Sequence, residues 1–168
     1  MTPSDIPTVN RKLKEAYHRV KAPIVDLLVV QTRDPFRILL VTILSARTKD
    51  ACTAAACERL FKVVTTPDDL RHISQDELEK LIYPVGFYRN KAQHLKALPD
   101  VLDQKFGGVL PDTVEELCEL PGVGRKTANL VVAQGFGKPA ICVDVHVHRI
   151  TNRLGLVQTK TPLETEMA

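Results

Sequence analysis

Few backbone paths are open to the run Leu120-Pro121-Gly122-Val123-Gly124-Arg125-Lys126-Thr127-Ala128-Asn129. Upstream, Asp112-Thr113-Val114-Glu115 reads as a capping box, with Asp112 at the N-cap and Glu115 reaching back. The short helix it opens carries Val114, Leu117 and Leu120 on one face and ends at Pro121-Gly122. From Gly124 a second helix runs through Lys126, Leu130, Val131 and Val132 and stops near Gly135. The spacing predicts helix, tight hairpin, helix over about 113–135. A helix start left bare by glycines carries partial positive charge and orphan N–H donors, so it suits a phosphate. An ordinary αα-hairpin with a Gly-rich turn reads the same way. The turn alone leaves both open.

The rest of the chain reads as helix after helix. Asn10 to Val20 is amphipathic through Leu13, Ala16, Tyr17 and Val20. Asp34-Pro35 starts a helix by cap and N1 proline, and its run Phe36 to Leu44 is apolar almost all round, hence buried. Thr48 is placed to cap an alanine-rich helix from Lys49 to about Val63, and Thr66-Pro67-Asp68-Asp69 opens a short one. Ser74-Gln75-Asp76-Glu77 is a second capping box, for a helix that Gly86 stops. From about Arg89 to Phe106 another follows, with Leu95, Leu98, Leu102 and Phe106 as its stripe and a kink expected at Pro99.

After an extended link, Asp144 precedes a helix with Val147, Ile150 and Leu154 on one face and His146, Arg149 and Arg153 on another. Thr161-Pro162-Leu163-Glu164 is one more start, and Ala168 follows in under two turns, which reads as a chain cut before a C-terminal lobe. Strand-like alternation is nearly absent. The expectation is an all-α fold of about eight or nine short helices with polar connections.

Composition is that of a globular chain, 44% hydrophobic and 26% charged. A net charge of +3 tolerates an anionic partner without demanding one. No apolar run reaches membrane-spanning length and no signal-peptide core opens the chain, so a soluble, cytoplasmic protein is expected. Cys52, Cys57, Cys118 and Cys142 show no ligand-like spacing and read as reduced packing residues. His146 and His148 diverge by roughly 200° on a helix and do not share an ion. No metal site is expected.

LPGVGRKTANLVV, a spacer and VDVHVHRITNRLG, with the upstream IYPVGFYRNK, resemble the endonuclease III family of helix-hairpin-helix DNA glycosylases, over about Asp34 to Gly155. The resemblance implies a helix-hairpin-helix glycosylase fold, with a helical barrel over 28–138 and the ends 1–27 and 139–168 forming a second, incomplete lobe. It also implies a bifunctional glycosylase and abasic-site lyase of base excision repair. It would act as a monomer on damaged duplex DNA, removing oxidised pyrimidines. In eukaryotes such enzymes are nuclear or mitochondrial; in bacteria they work at the nucleoid.

Lys126 and Asp144 match the family's catalytic pair. A lysine suits attack on a sugar carbon because its amine shifts pKa readily when desolvated. An aspartate at a helix N-cap has a structural reason to be there as well. The resemblance makes Gly122, Val123, Gly124 and Arg125 the DNA-binding hairpin. Arg47 stands where relatives often have glutamine, on the loop that fills the gap left by an extruded base. Phe87 matches a hydrophobic wedge, its ordinary alternative being core packing. The family's [4Fe–4S] cluster is expected only if a C-terminal four-cysteine segment has been lost. The rival readings are a monofunctional glycosylase, whose members generally lack lysine at position 126, and a non-catalytic DNA-binding module.

Overall fold

Among the described residues of the computed structural model, 3–17 and 34–168, all regular structure is helical. It comprises ten α-helices and a 3₁₀ turn at Pro3–Asp5, against the eight or nine helices expected. The chain divides into two compact units, Pro23–Ala140 and Met1–Ala22 with Ile141–Ala168. Among the described residues no helix is long and apolar enough to cross a membrane.

The larger unit is built around α2 (Pro35–Ser45), which packs on α3 (Asp50–Leu60), α6 (Tyr88–Phe106) and α8 (Arg125–Gly135). Asp34 starts α2 as its spacing requires, the carboxylate accepting from the Phe36 N–H at 3.0 Å. Of the nine residues from Phe36 to Leu44 all but Arg37 are buried, and Ile38, Leu39, Leu40 and Leu44 exclude solvent completely. Each such side chain contributes about 1.5–3 kcal/mol of transfer free energy. Gly135 ends α8 where an added Cβ would lie 2.9 Å from the Pro35 Cα, so the two helix ends pass too closely for any side chain. Cys57 on α3 is fully buried, and burial pushes its thiol up to about 12.

Around this frame stand α4 (Asp69–His72), α5 (Gln75–Ile82) and α7 (Val114–Leu117). The Ser74–Glu77 capping box is present in both directions. Helix α6 runs through Pro99 unbroken, with Leu98, Pro99 and Leu102 buried together. Lys96 donates to the carbonyls of Leu70, Arg71 and Ile73, closing the end of α4.

Four local readings are corrected. Thr113, not Asp112, caps α7, and it pairs with Glu116 rather than Glu115; Asp112 is drawn to Lys138 at 2.7 Å. Helix α3 is shorter than expected, and its N-cap is Lys49 rather than Thr48. Thr66 does not cap α4: its N–H and that of Thr65 donate to the Asp69 carboxylate, which these bonds hold well below the usual range. Helix α5 ends at Ile82, before Gly86 is reached.

In the smaller unit, α1 spans Ile6–Tyr17 with no buried residue; Val20, expected on its stripe, lies outside the described residues. Helix α9 (Val145–Arg153) and α10 (Pro162–Met167) pack together. A polar network joins them: His148 Nδ1 lies 2.7 Å from the Thr165 hydroxyl, and Asn152 binds both the Thr159 N–H and its hydroxyl. His148 is therefore structural, while His146 is exposed beside Arg149.

Candidate functional site

The hairpin between α7 and α8 is anchored from below by apolar side chains. Leu117 and Leu120 are buried, and Val123 turns its side chain inward while its N–H donates to the Leu120 carbonyl at 3.2 Å. Only the main chain of Val123 is left for a ligand. The two glycines have different causes. Gly122 has φ +77°, and an added Cβ would sit 2.6 Å from His94 Nδ1, so backbone and packing both require glycine. Gly124 has φ −105° and ψ 171°, which any residue adopts, and nothing lies within 4 Å of an added Cβ. Neither strain nor crowding explains that glycine. What it does is keep the start of α8 open, because it supplies no side-chain cap to the first turn.

Lys126 is exposed on that first turn. Arg125 beside it is half-buried and reaches Glu115 at 3.4 Å. Asn129, buried one turn on, donates to the Arg125 carbonyl at 3.0 Å and steadies the helix start. Asp144 belongs to the smaller unit, at the N-cap of α9, where one carboxylate oxygen accepts from the His146 and Val147 N–H groups, each at 2.9 Å. The capping role expected of it is met, and that geometry fixes the carboxylate's orientation.

Arg47 and Phe87 come together in the larger unit. Both adopt the left-handed backbone region, at φ 54° and 56°, although neither is glycine. The Arg47 guanidinium lies over the Phe87 ring, 5.5 Å from its centroid. Phe87 is 60% exposed, which overturns the core-packing alternative. Beneath them is a residue that the sequence reading did not single out. Lys91, one turn into α6, is 6% exposed. Its ammonium donates to Leu44 O at 2.8 Å, Ala46 O at 2.7 Å and Thr48 Oγ1 at 3.1 Å, three acceptors for three N–H bonds. Desolvation pulls this amine down to about 8. Thr48 Oγ1 also accepts from the Gly86 N–H at 3.0 Å, which explains its absence from the cap of α3.

The cysteines do not make a cluster site. Cys52 and Cys57 lie on α3, Cys118 follows α7 and Cys142 precedes α9. Among the described residues no group of three His, Cys, Asp or Glu side chains could hold a metal ion.

The profile of the HhH-GPD superfamily of base excision DNA repair proteins matches residues 40–168. Endonuclease III of Thermotoga maritima is 53% identical over 135 residues, 80% of this chain and 63% of that protein. The chain belongs to the endonuclease III family. Other endonuclease III relatives include that of Bacillus subtilis, 41% identical over 79% of this chain and 61% of its own length. The endonuclease III-like protein 1 of Gallus gallus is 46% identical over 79% of this chain and 48% of its own. The chain thus spans about half to five-eighths of these relatives' length. Among solved structures, a non-covalent endonuclease III–DNA complex superposes with TM-score 0.82 at 37% identity, covering 99% of this chain and 76% of that one. A trapped endonuclease III–DNA covalent intermediate matches equally well. The fold expected from the hairpin and its flanking helices is the fold of this family.

Proposed function

We propose that the protein is a bifunctional DNA glycosylase and abasic-site lyase that removes oxidised pyrimidines from duplex DNA. The observation that carries this reading is Gly124: a glycine that neither strain nor packing requires opens a helix start, with Lys126 on its first turn. The capture of a 37% identical endonuclease III as a covalent intermediate with DNA supports a covalent step in the reaction.

The target nucleotide leaves the stack, because its C1′ is shielded inside the duplex. The Lys126 amine, deprotonated, bonds to C1′ as the bond from C1′ to the base breaks and its electron pair leaves with the base. Asp144 accepts a proton from the amine or stabilises positive charge developing on the sugar. Ring opening gives a Schiff base between Lys126 and C1′. Loss of a C2′ proton then expels the 3′ phosphate, and water releases the amine.

The backbone at Gly122, Val123 and Gly124, with Arg125, holds phosphates, which position without reading sequence. Arg47 and Phe87 enter the space the base vacates. The protein works as a monomer in the compartment that holds the genome. A [4Fe–4S] cluster is expected of it only if the sequence continues into a four-cysteine segment.

Borohydride reduces a Schiff base to a stable adduct, which provides the test on duplex DNA carrying an abasic site or an oxidised pyrimidine. A DNA-linked product is expected. Base release without an adduct would instead indicate a monofunctional glycosylase, and neither product a binding module. Binding has its own signature. With three neutralised phosphates, duplex affinity should fall roughly 40-fold between ~50 and ~200 mM salt, since each releases counterions. Gly124→Val should weaken all duplexes alike and flatten that slope. Fluorescence anisotropy across a salt series checks both, and a flat wild-type series would rule out phosphate-led binding.

A further inference from the structure

Two turns of the larger unit, Ser45–Thr48 and Val85–Phe87, touch main chain to main chain. An added Cβ at Gly86 would lie 2.4 Å from the Arg47 carbonyl oxygen. One buried cation holds this junction: Lys91 binds Leu44 O at the end of α2 and Ala46 O in the first turn, and through Thr48 Oγ1 it connects to the Gly86 N–H in the second. Arg59 pins the approach to the second turn by donating to the carbonyls of Leu81 and Tyr83. The only large exposed groups the junction presents are Arg47 and Phe87, stacked on each other. A lysine kept out of water on three oxygens is a costly way to stabilise a surface turn. It does fix that turn's geometry.

We propose that Lys91 is a positioning residue for base extrusion, holding the two turns in register so that Arg47 and Phe87 enter the duplex as one rigid unit. This rests on the glycosylase reading above. Lys91 itself touches neither DNA nor the reacting atoms; misplacing the inserted pair by an ångström or so is enough to lower the rate.

The experiment compares a substrate that needs the gap filled with one that does not. In full-length protein, Lys91→Met should slow single-turnover base removal from an oxidised-pyrimidine duplex by about tenfold or more. Borohydride trapping on a single-stranded abasic oligonucleotide, which has no stack to hold open, should stay within about twofold. Added to Arg47→Ala with Phe87→Ala, Lys91→Met should cost no more than about twofold again, because it acts through the residues already removed. Lys91→Arg keeps the charge but not the three-point geometry, and should recover part of the rate. Equal slowing on both substrates, or a full additional loss in the background lacking Arg47 and Phe87, would overturn the proposal. Should Lys91→Met not fold, Thr48→Val removes the bridge to Gly86 and is put through the same comparison. A wild-type protein inactive on both substrates would instead defeat the glycosylase reading itself.

Discussion

Lys126→Gln is expected to abolish the borohydride-trapped adduct while duplex binding persists. Glutamine keeps the length and nearly the helix propensity of lysine, and the position is exposed on the first turn of α8. Stability should therefore change by less than about 0.5 kcal/mol. The amide nitrogen, by contrast, has no lone pair available for attack at C1′, so the covalent path closes. A fall in adduct of at least about 10³-fold is the expected scale for removing a nucleophile. Adduct yield by gel and affinity by anisotropy are read on the same duplex. If adduct persists in Lys126→Gln, another amine is the nucleophile. If affinity disappears with the adduct, the lysine acts through phosphate binding rather than chemistry.

Asp144 allows its structural and chemical roles to be separated by choice of replacement. Its carboxylate caps α9 through two N–H bonds. Asparagine caps a helix about as well as aspartate, whereas alanine gives up about 1 kcal/mol. Asp144→Asn should therefore leave thermal stability near that of the wild type. It removes the negative charge, and base removal should slow by on the order of 10²-fold, equivalent to ~3 kcal/mol of preorganised electrostatics. Trapping on a preformed abasic site should suffer less, since that substrate has already lost its base. Asp144→Ala should show the same chemical loss together with a lower melting temperature. Were Asp144→Asn to excise at the wild-type rate, Asp144 would be a cap and nothing more.

Local rules carried the sequence reading wherever a side chain's best partner lay within a few residues. Asp34, Ser74 with Glu77, Asp144 and Thr161 all cap the helices their spacing announced. The readings failed where a distant partner made a better offer. The Thr48 hydroxyl is taken by Gly86 and Lys91, and the Asp112 carboxylate by Lys138, leaving Thr113 to cap α7. The hairpin was legible as a turn, but its glycines looked equivalent. Only the position of His94 shows that one of them is required by packing and the other is not. Lys91 left no signal in periodicity, because a long polar residue one turn into a helix is ordinarily solvated. Lys126 and Asp144 were legible through resemblance to the family rather than through any local rule of spacing.

Arg47 and Phe87 hold left-handed backbone conformations that cost a non-glycine residue roughly 1–2 kcal/mol each. Asparagine tolerates that region better, so each position forgoes stability that a single substitution would recover. The folded protein carries this deficit without any ligand bound. On the proposed reading, a protruding pair already held this way would need little further ordering on meeting a duplex. The larger unit is in this sense held away from its stability optimum, and selection for heat resistance alone would act against these two side chains.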